Sequence, residues 1–310
     1  MGTLVGHVAP GFAFLALGLW HIFNHIKLFC LHPKTYTSSP WFPASKLRHL
    51  ELYLIMVGSS ISIAMELFIG PKKHQPFDSD GTIPSNHLHN FEHSSISMTF
   101  FAYAAFALVF DKTGPRASYG LTNLVGAIAF AQQLFLFHLH SADHMGVEGQ
   151  YHLLLQFVIF VSLVTTLMGI AMPKSFLVSF VRSSSIIFQG IWFITMGYML
   201  WTPSLIPKGC SLHLEEGHQV VRCSSHEALH RAKSLVNIEF SWSLVGITIF
   251  VMSLYLVLYR VYGQNVEYSA LTTKDQTEQD REEQDIESQK LSNPSFVQMG
   301  KLFGHRDMER

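Results

Sequence analysis

The stretch His152-Leu-Leu-Leu-Gln-Phe-Val-Ile-Phe-Val-Ser-Leu-Val-Thr-Thr-Leu-Met-Gly-Ile-Ala-Met172 carries no Lys, Arg, Asp or Glu from end to end. A helix rises about 1.5 Å per residue and a bilayer's hydrocarbon core is about 30 Å thick, so this run predicts a membrane-spanning helix. Six other segments pass the same test: Leu4–Phe23, Leu50–Ile69, Phe91–Phe110, Gly120–Leu139, Ser184–Trp201 and Phe240–Tyr259. The expected fold is an all-α membrane protein, a seven-transmembrane-helix bundle over residues 1–262. Beyond Tyr259 the character changes. Thr272 to Lys290 is rich in Gln, Glu, Asp and Ser, a composition that cannot bury a core, so residues 263–310 are expected as a disordered cytosolic tail.

Composition agrees with a lipid-facing chain. Of 310 residues only 14% are charged, against roughly 25% in an ordinary soluble domain. There are 25 Phe and 12 Met, and mean hydropathy is +0.24. A formal net charge of −1 leaves no basic excess for nucleic acid, so membrane lipid is the expected partner. Three Cys exclude a disulfide-built mini-domain. No Lys or Arg precedes the first span, so it reads as a retained helix and not as a secretory leader.

Basic residues in the short loops set the expected orientation. Lys27, Lys34, Lys46, Arg48, Lys112, Arg116, Lys174, Arg182 and Arg260 fall on the C-terminal side, and they outnumber Lys72, Lys73, Lys208, Arg222, Arg231 and Lys233 opposite. This places the C-terminus in the cytosol and the N-terminus in the lumen or outside. Cys210 and Cys223 then share one luminal loop, where an oxidising compartment favours a disulfide over two free thiols, and Cys30 lies on the reducing side.

Ionisable residues within or beside a span are costly and are functional candidates by default. His7 opens the first span, Glu66 closes the second, His93 begins the third, His138 and His140 end the fourth, His152 opens the fifth and Glu239 precedes the seventh. Because alternate spans run in opposite directions, all of these reach the luminal side. The other side shows mainly Lys, Arg, Asp and Pro, with His49 and Glu51 as exceptions. Two readings stand. The groups populate a polar interface and snorkel into water, or they converge as a metal site, with His93, His138, His140, His152, Glu66 and His7 as ligands or their partners. Imidazoles with a carboxylate suit Zn2+. His138 and His140 are two apart and point to different faces of a regular helix, whereas His140 and His144 share one. Histidines 213, 218, 226 and 230 read as surface groups of the long luminal loop. No phosphate-binding Gly-rich loop and no nucleophile elbow is present, and the seventh span has no Lys for a Schiff base. Gln132, Gln133, Gln156 and Gln189 are expected to hydrogen-bond between helices, and Gly190 to permit close helix approach.

Several motifs together resemble the transmembrane protein 45 family: Gly6-His7-Val-Ala-Pro10-Gly11, Asn90-Phe-Glu-His93-Ser94, Phe137-His138-Leu-His140, Tyr151-His152-Leu-Leu-Leu155, and Ser185-Ile-Ile-Phe-Gln189-Gly190-Ile-Trp192 with Pro203. The resemblance covers roughly the first 260 residues, and the longer sixth-to-seventh loop is similar to the plant branch. It implies a multi-pass protein without an established activity, and for plant members an association with the response to viral infection. The leading functional expectation is a binding or transport-like membrane protein with a His-rich luminal metal site. One rival is a zinc-dependent intramembrane lipid hydrolase, similar to the seven-span amidases that include ceramidases and adiponectin-type receptors. Those enzymes carry an Asp within an early span, and no span here contains one. The other rival is a structural or trafficking adaptor. Substrate, oligomeric state and the particular membrane are left open by the sequence.

Overall fold

The computed structural model describes residues 3–70, 76–139, 146–215 and 218–291, with side chains of the last helix as far as residue 263. Seven helices are long and apolar enough to cross a membrane. They are α1 (Leu4–Leu31), α2 (Leu50–Ala64, continued by a π-helical turn Met65–Ile69), α3 (Leu88–Thr113), α4 (Ser118–Leu139), α5 (Gly146–Ala171), α6 (Phe176–Trp201) and α7 (His226–Leu291). Two strands, β1 (Cys210–Glu215) and β2 (His218–Cys223), form an antiparallel hairpin between α6 and α7. Cys210 faces Cys223 in its register, and the two are joined by a disulfide with an S–S separation of 1.99 Å. Cys30 is a buried free thiol.

Helix ends follow their capping residues. Thr3 Oγ1 accepts from the Gly6 N–H at 3.0 Å to start α1, and Ser175 Oγ accepts from Val178 N–H to start α6. Gly114, at φ 63°, closes α3 in the left-handed conformation that glycine takes without penalty. Two helices run longer than the apolar segments. α1 continues through Asn24–Leu31, and α6 begins at Phe176, before Arg182. Polar residues end a hydropathy run, but they do not end a helix when their side chains turn into the bundle.

Helix α6 is the axis. In its apolar window 72% of residues are buried, against 17% for α2, α3 and α7. Its most extensive contact is with α1, and glycines set the distance. A Cβ on Gly190 would lie 2.4 Å from Leu15 N, and one on Gly18 would lie 2.7 Å from Ile187 N. Backbone therefore meets backbone, the small-residue packing by which helices associate where lipid supplies no hydrophobic contrast. On the other flank, bulky rings separate α6 from α7: Phe240 stacks on Phe188 at 4.8 Å and meets Trp192 edge-on at 4.9 Å. Exposed Leu54, Ile61, Phe157, Phe160, Ile249 and Leu256 suit the lipid side.

The chain divides into two compact units, Met1–Tyr259 and Arg260–Arg310. In the second, the helix bounds run on to Leu291, through the polar stretch whose composition suggested disorder. That composition argues only against a buried core; Glu, Gln, Lys and Arg are good helix formers.

Candidate functional site: a buried network beneath the α1–α2 connection

His21 and His25 stand one turn apart on α1, on the face turned to α6. Both are buried, His25 completely. Glu51 sits in the first turn of α2 and is also buried. Its carboxylate takes three donors: Trp20 Nε1 at 2.9 Å, His21 Nε2 at 2.7 Å and the Phe42 backbone N–H at 2.8 Å. Arg182, in the second turn of α6, is only 4% exposed. Its guanidinium donates to Asn123 Oδ1 at 3.0 Å, His25 Nε2 at 3.3 Å, Ser39 O at 3.2 Å and Ser38 Oγ at 3.5 Å. Every one of those acceptors is neutral. Arginine remains protonated in any protein environment, so this is a buried cation that no carboxylate among the described residues touches.

The hydrogen bonds assign the histidine protons. Arg182 can only donate, so His25 Nε2 carries a lone pair and the ring proton sits on Nδ1, which donates to Tyr36 Oη at 2.9 Å. The Tyr36 hydroxyl bonds onward to Ser179, and burial pushes its phenol up to about 12, so it keeps its proton at neutral pH. His21 presents Nε2–H to Glu51, which leaves its Nδ1 lone pair buried without a hydrogen-bond partner. An orphaned acceptor inside a protein is costly, and here it is also a place where a proton can be added.

The α1–α2 connection folds over this network as a lid. Tyr36, Ser38, Trp41 and Phe42 are all buried. Ser38 N–H donates to Pro173 O at 2.7 Å, and Tyr103 Oη donates to Pro40 O at 2.6 Å. The lid's latches are therefore the network's own ionisable groups: Arg182 holds Ser38 and Ser39, Glu51 holds Phe42, and His25 holds Tyr36. At its rim Arg48 and His49 both bond Asp111, and the Arg48 guanidinium lies over the Trp41 ring at 5.7 Å.

At the opposite end, near the hairpin, the residues singled out as metal ligands form pairs. His7 and His152 approach with ring centroids 5.9 Å apart, and Trp201 stacks on His7 at 4.5 Å. Glu66, on the π-helical turn, accepts from Asn90 Nδ2 at 2.7 Å and lies 3.5 Å from His93 Nδ1. His138 Nδ1 is 3.3 Å from Gln156 Oε1. Tyr151 Oη donates to Glu239 at 2.5 Å. Among the described residues no group of three or more His, Cys, Asp or Glu is placed to hold a metal ion. His140 and His144 lie outside the described residues. Among the described residues these groups meet different neighbours: His7 meets His152 and Trp201, Glu66 meets Asn90 and His93, and His138 meets Gln156.

Sequence reading missed the network for specific reasons. Its first span stopped at Phe23, between the two histidines. Arg182 was counted as a loop charge, yet α6 encloses it. The His21-X-X-X-His25 spacing, on a run with no other explanation for two imidazoles, was the available signal.

Residues 119–256 match a family of unknown function, DUF716. The matched region runs from α4 into α7 and includes Asn123, Arg182, His152 and the disulfide, whereas His21, His25, Glu51, Glu66 and His93 precede it.

Proposed function

We propose that this is a binding or transport-like membrane protein whose working centre is the lidded network of His21, His25, Glu51 and Arg182. The observation that carries the reading is the buried Arg182 cation held only by neutral groups, beneath a lid latched by titratable ones. Charged side chains inside a lipid-facing bundle are expensive and mark pathways for ions or solutes. The motif resemblance supports placing the chain in the transmembrane protein 45 family, and the match to a family of unknown function accords with it.

A binding centre must reach water, whereas a static structural network need not. In a Cys30→Ala background, Ser38→Cys reports on the lid and exposed Thr37→Cys serves as the control. A membrane-impermeant methanethiosulfonate labels Ser38→Cys completely but at roughly a hundredth of the control rate, the factor set by a local opening free energy of about 3 kcal/mol. If Ser38→Cys stays unlabelled after prolonged exposure while Thr37→Cys reacts, the lid does not open and the reading falls.

The approach of the His7 and His152 rings, 5.9 Å between centroids, favours a second reading, in which those two hold Zn2+ at the hairpin end. Metal stoichiometry of the folded protein tests it: His7→Ala and His152→Ala retain less zinc than His213→Ala. Wild type without metal, or equal retention in all three variants, removes it.

A further inference from the structure

Polar clusters elsewhere in the bundle carry balanced charge. The Glu66–His93 pair on the π-helical turn has Asn90 completing it, so it is internally satisfied. The belt of Ser162, Ser185 and Gln189 links α5 to α6, and its bonds are those of helix packing. The exposed hairpin offers a Glu215–Arg222 pair already neutralised by itself. The network beneath the lid has an imbalance that none of these has.

We propose that the network binds a small oxyanion, carboxylate or phosphate, on Arg182 together with a proton on His21, the oxyanion replacing Ser38 and Ser39. This rests on the reading of the network as a binding centre and names its ligand class. The argument is one of charge. Glu51 and Arg182 do not touch, yet they are linked through buried rings: His21, bonded to Glu51, lies 6.0 Å from His25, bonded to Arg182, and Phe42 meets both imidazoles edge-on. With both histidines neutral the volume carries no net charge. His21 Nδ1 is an unoccupied lone pair one ring away from the Glu51 carboxylate, so a proton added there is balanced by Glu51. That leaves the Arg182 charge uncompensated, and a buried uncompensated charge is strongly unfavourable. An oxyanion arriving with the proton restores neutrality. Either one alone does not, so the two are coupled.

The geometry at Arg182 fits this exchange. A guanidinium presents N–H groups in a fork suited to two oxygens of one carboxylate or phosphate. Here Nη2 divides its two protons among the Ser38 hydroxyl at 3.5 Å, the Ser39 carbonyl at 3.2 Å and His25 Nε2 at 3.3 Å, while Nη1 donates to Asn123 Oδ1. The two lid bonds are long and end on neutral acceptors, so an anionic oxygen at Nη2 makes a stronger bond than either. An anion displaces them and releases that part of the lid. His25 does not compete for the proton, because its Nε2 already accepts from Arg182. The remaining groups facing the pair are neutral donors or acceptors: Trp20, Tyr36, Tyr103 and Asn123.

One ligand chemistry has two sources here, a free solute or the headgroup of an anionic lipid, and the experiment separates them. The full chain is placed in phosphatidylcholine nanodiscs and titrated calorimetrically with sodium acetate or inorganic phosphate, and in parallel its affinity for phosphatidylglycerol-containing nanodiscs is measured. Acetate binding is expected to take up about one proton, read from two buffers of different ionisation enthalpy. Its affinity should rise about tenfold for each pH unit of acidification, the slope that uptake of one proton with the anion requires. Arg182→Gln abolishes binding, and His21→Gln abolishes the proton uptake. Ser38→Ala keeps the fold and strengthens binding severalfold, because it removes a competing acceptor; a merely structural Arg182 would not produce that gain. Binding confined to the phosphatidylglycerol arm assigns the oxyanion to a lipid headgroup. Absence of binding in every arm, affinity independent of pH, or binding undiminished in folded Arg182→Gln overturns the proposal. If the Ser38→Cys lid opens yet no oxyanion binds, this inference fails and the functional reading survives.

Discussion

Glu51→Ala destabilises the detergent-purified protein by about 3–5 kcal/mol, the cost of removing one partner from a buried ionic group. The magnitude follows from what the carboxylate holds. Trp20 Nε1, His21 Nε2 and the Phe42 N–H all donate to it, and alanine leaves all three buried donors unanswered. The Phe42 bond also fastens the lid to α2, so the loss extends to the packing of Trp41 and Phe42 over the bundle. Glu51→Gln is milder, since one amide oxygen still accepts while the amide nitrogen confronts a donor. Glu215→Ala is the control. Its partner Arg222 is a surface group, with the two side chains 45% and 43% exposed, and such pairs contribute about 0–1 kcal/mol. Chemical unfolding monitored by Trp fluorescence measures all three. A Glu51→Ala midpoint indistinguishable from that of Glu215→Ala would show that water reaches the network and that the enclosed-charge account is wrong.

The helices were legible because length and apolarity are local properties, and seven segments satisfying both became seven helices. The site was not legible in the same way. Burial of a polar residue depends on which neighbour faces it, and hydropathy treats every polar residue as a boundary. Arg182 shows the consequence: in sequence it follows a Pro and a Lys and precedes an apolar run, the pattern of a loop cation. In the structure Ser175 caps α6 seven residues earlier, and Gly169 of α5 leaves room beside the guanidinium, with a Cβ there reaching 3.4 Å from Nη1. His25 was lost by the same rule, two residues past the expected end of the first span. At the hairpin end the sequence reasoning used depth alone, and depth fixes only one coordinate. His7 meets Trp201 and His152, whereas Glu66 meets Asn90 and His93, because azimuth around each helix, set by packing, decides which groups share a site. The cysteine pair was easier, since both thiols fall in the one long connection between the sixth and seventh spans; in the structure they close the hairpin.

Arg182→Gln and Glu51→Gln are each expected to destabilise the protein, the latter less than Glu51→Ala, and their combination to be no worse than the worse of the two. The residues make no direct contact: Arg182 is held by Asn123, His25 and the lid, and Glu51 by α1 and Phe42. Contact-based bookkeeping therefore predicts additivity, two separate hydrogen-bond losses summed. Charge balance predicts otherwise. Removing Arg182 alone strands a buried carboxylate, and removing Glu51 alone strands a buried guanidinium; removing both leaves an uncharged volume whose remaining groups are amides, hydroxyls and neutral imidazoles. Neutral replacement of buried ion pairs is often tolerated where removal of one partner is not. The double-mutant cycle should accordingly yield a coupling of at least about 1.5 kcal/mol, within the range seen for residues that share a network. The same double variant, like Arg182→Gln alone, does not bind acetate, since neither the charge that stabilises the His21 proton nor the one that attracts the anion remains. Strict additivity would mean that the two charges are screened from each other, and the coupling of proton to oxyanion would lose its physical basis.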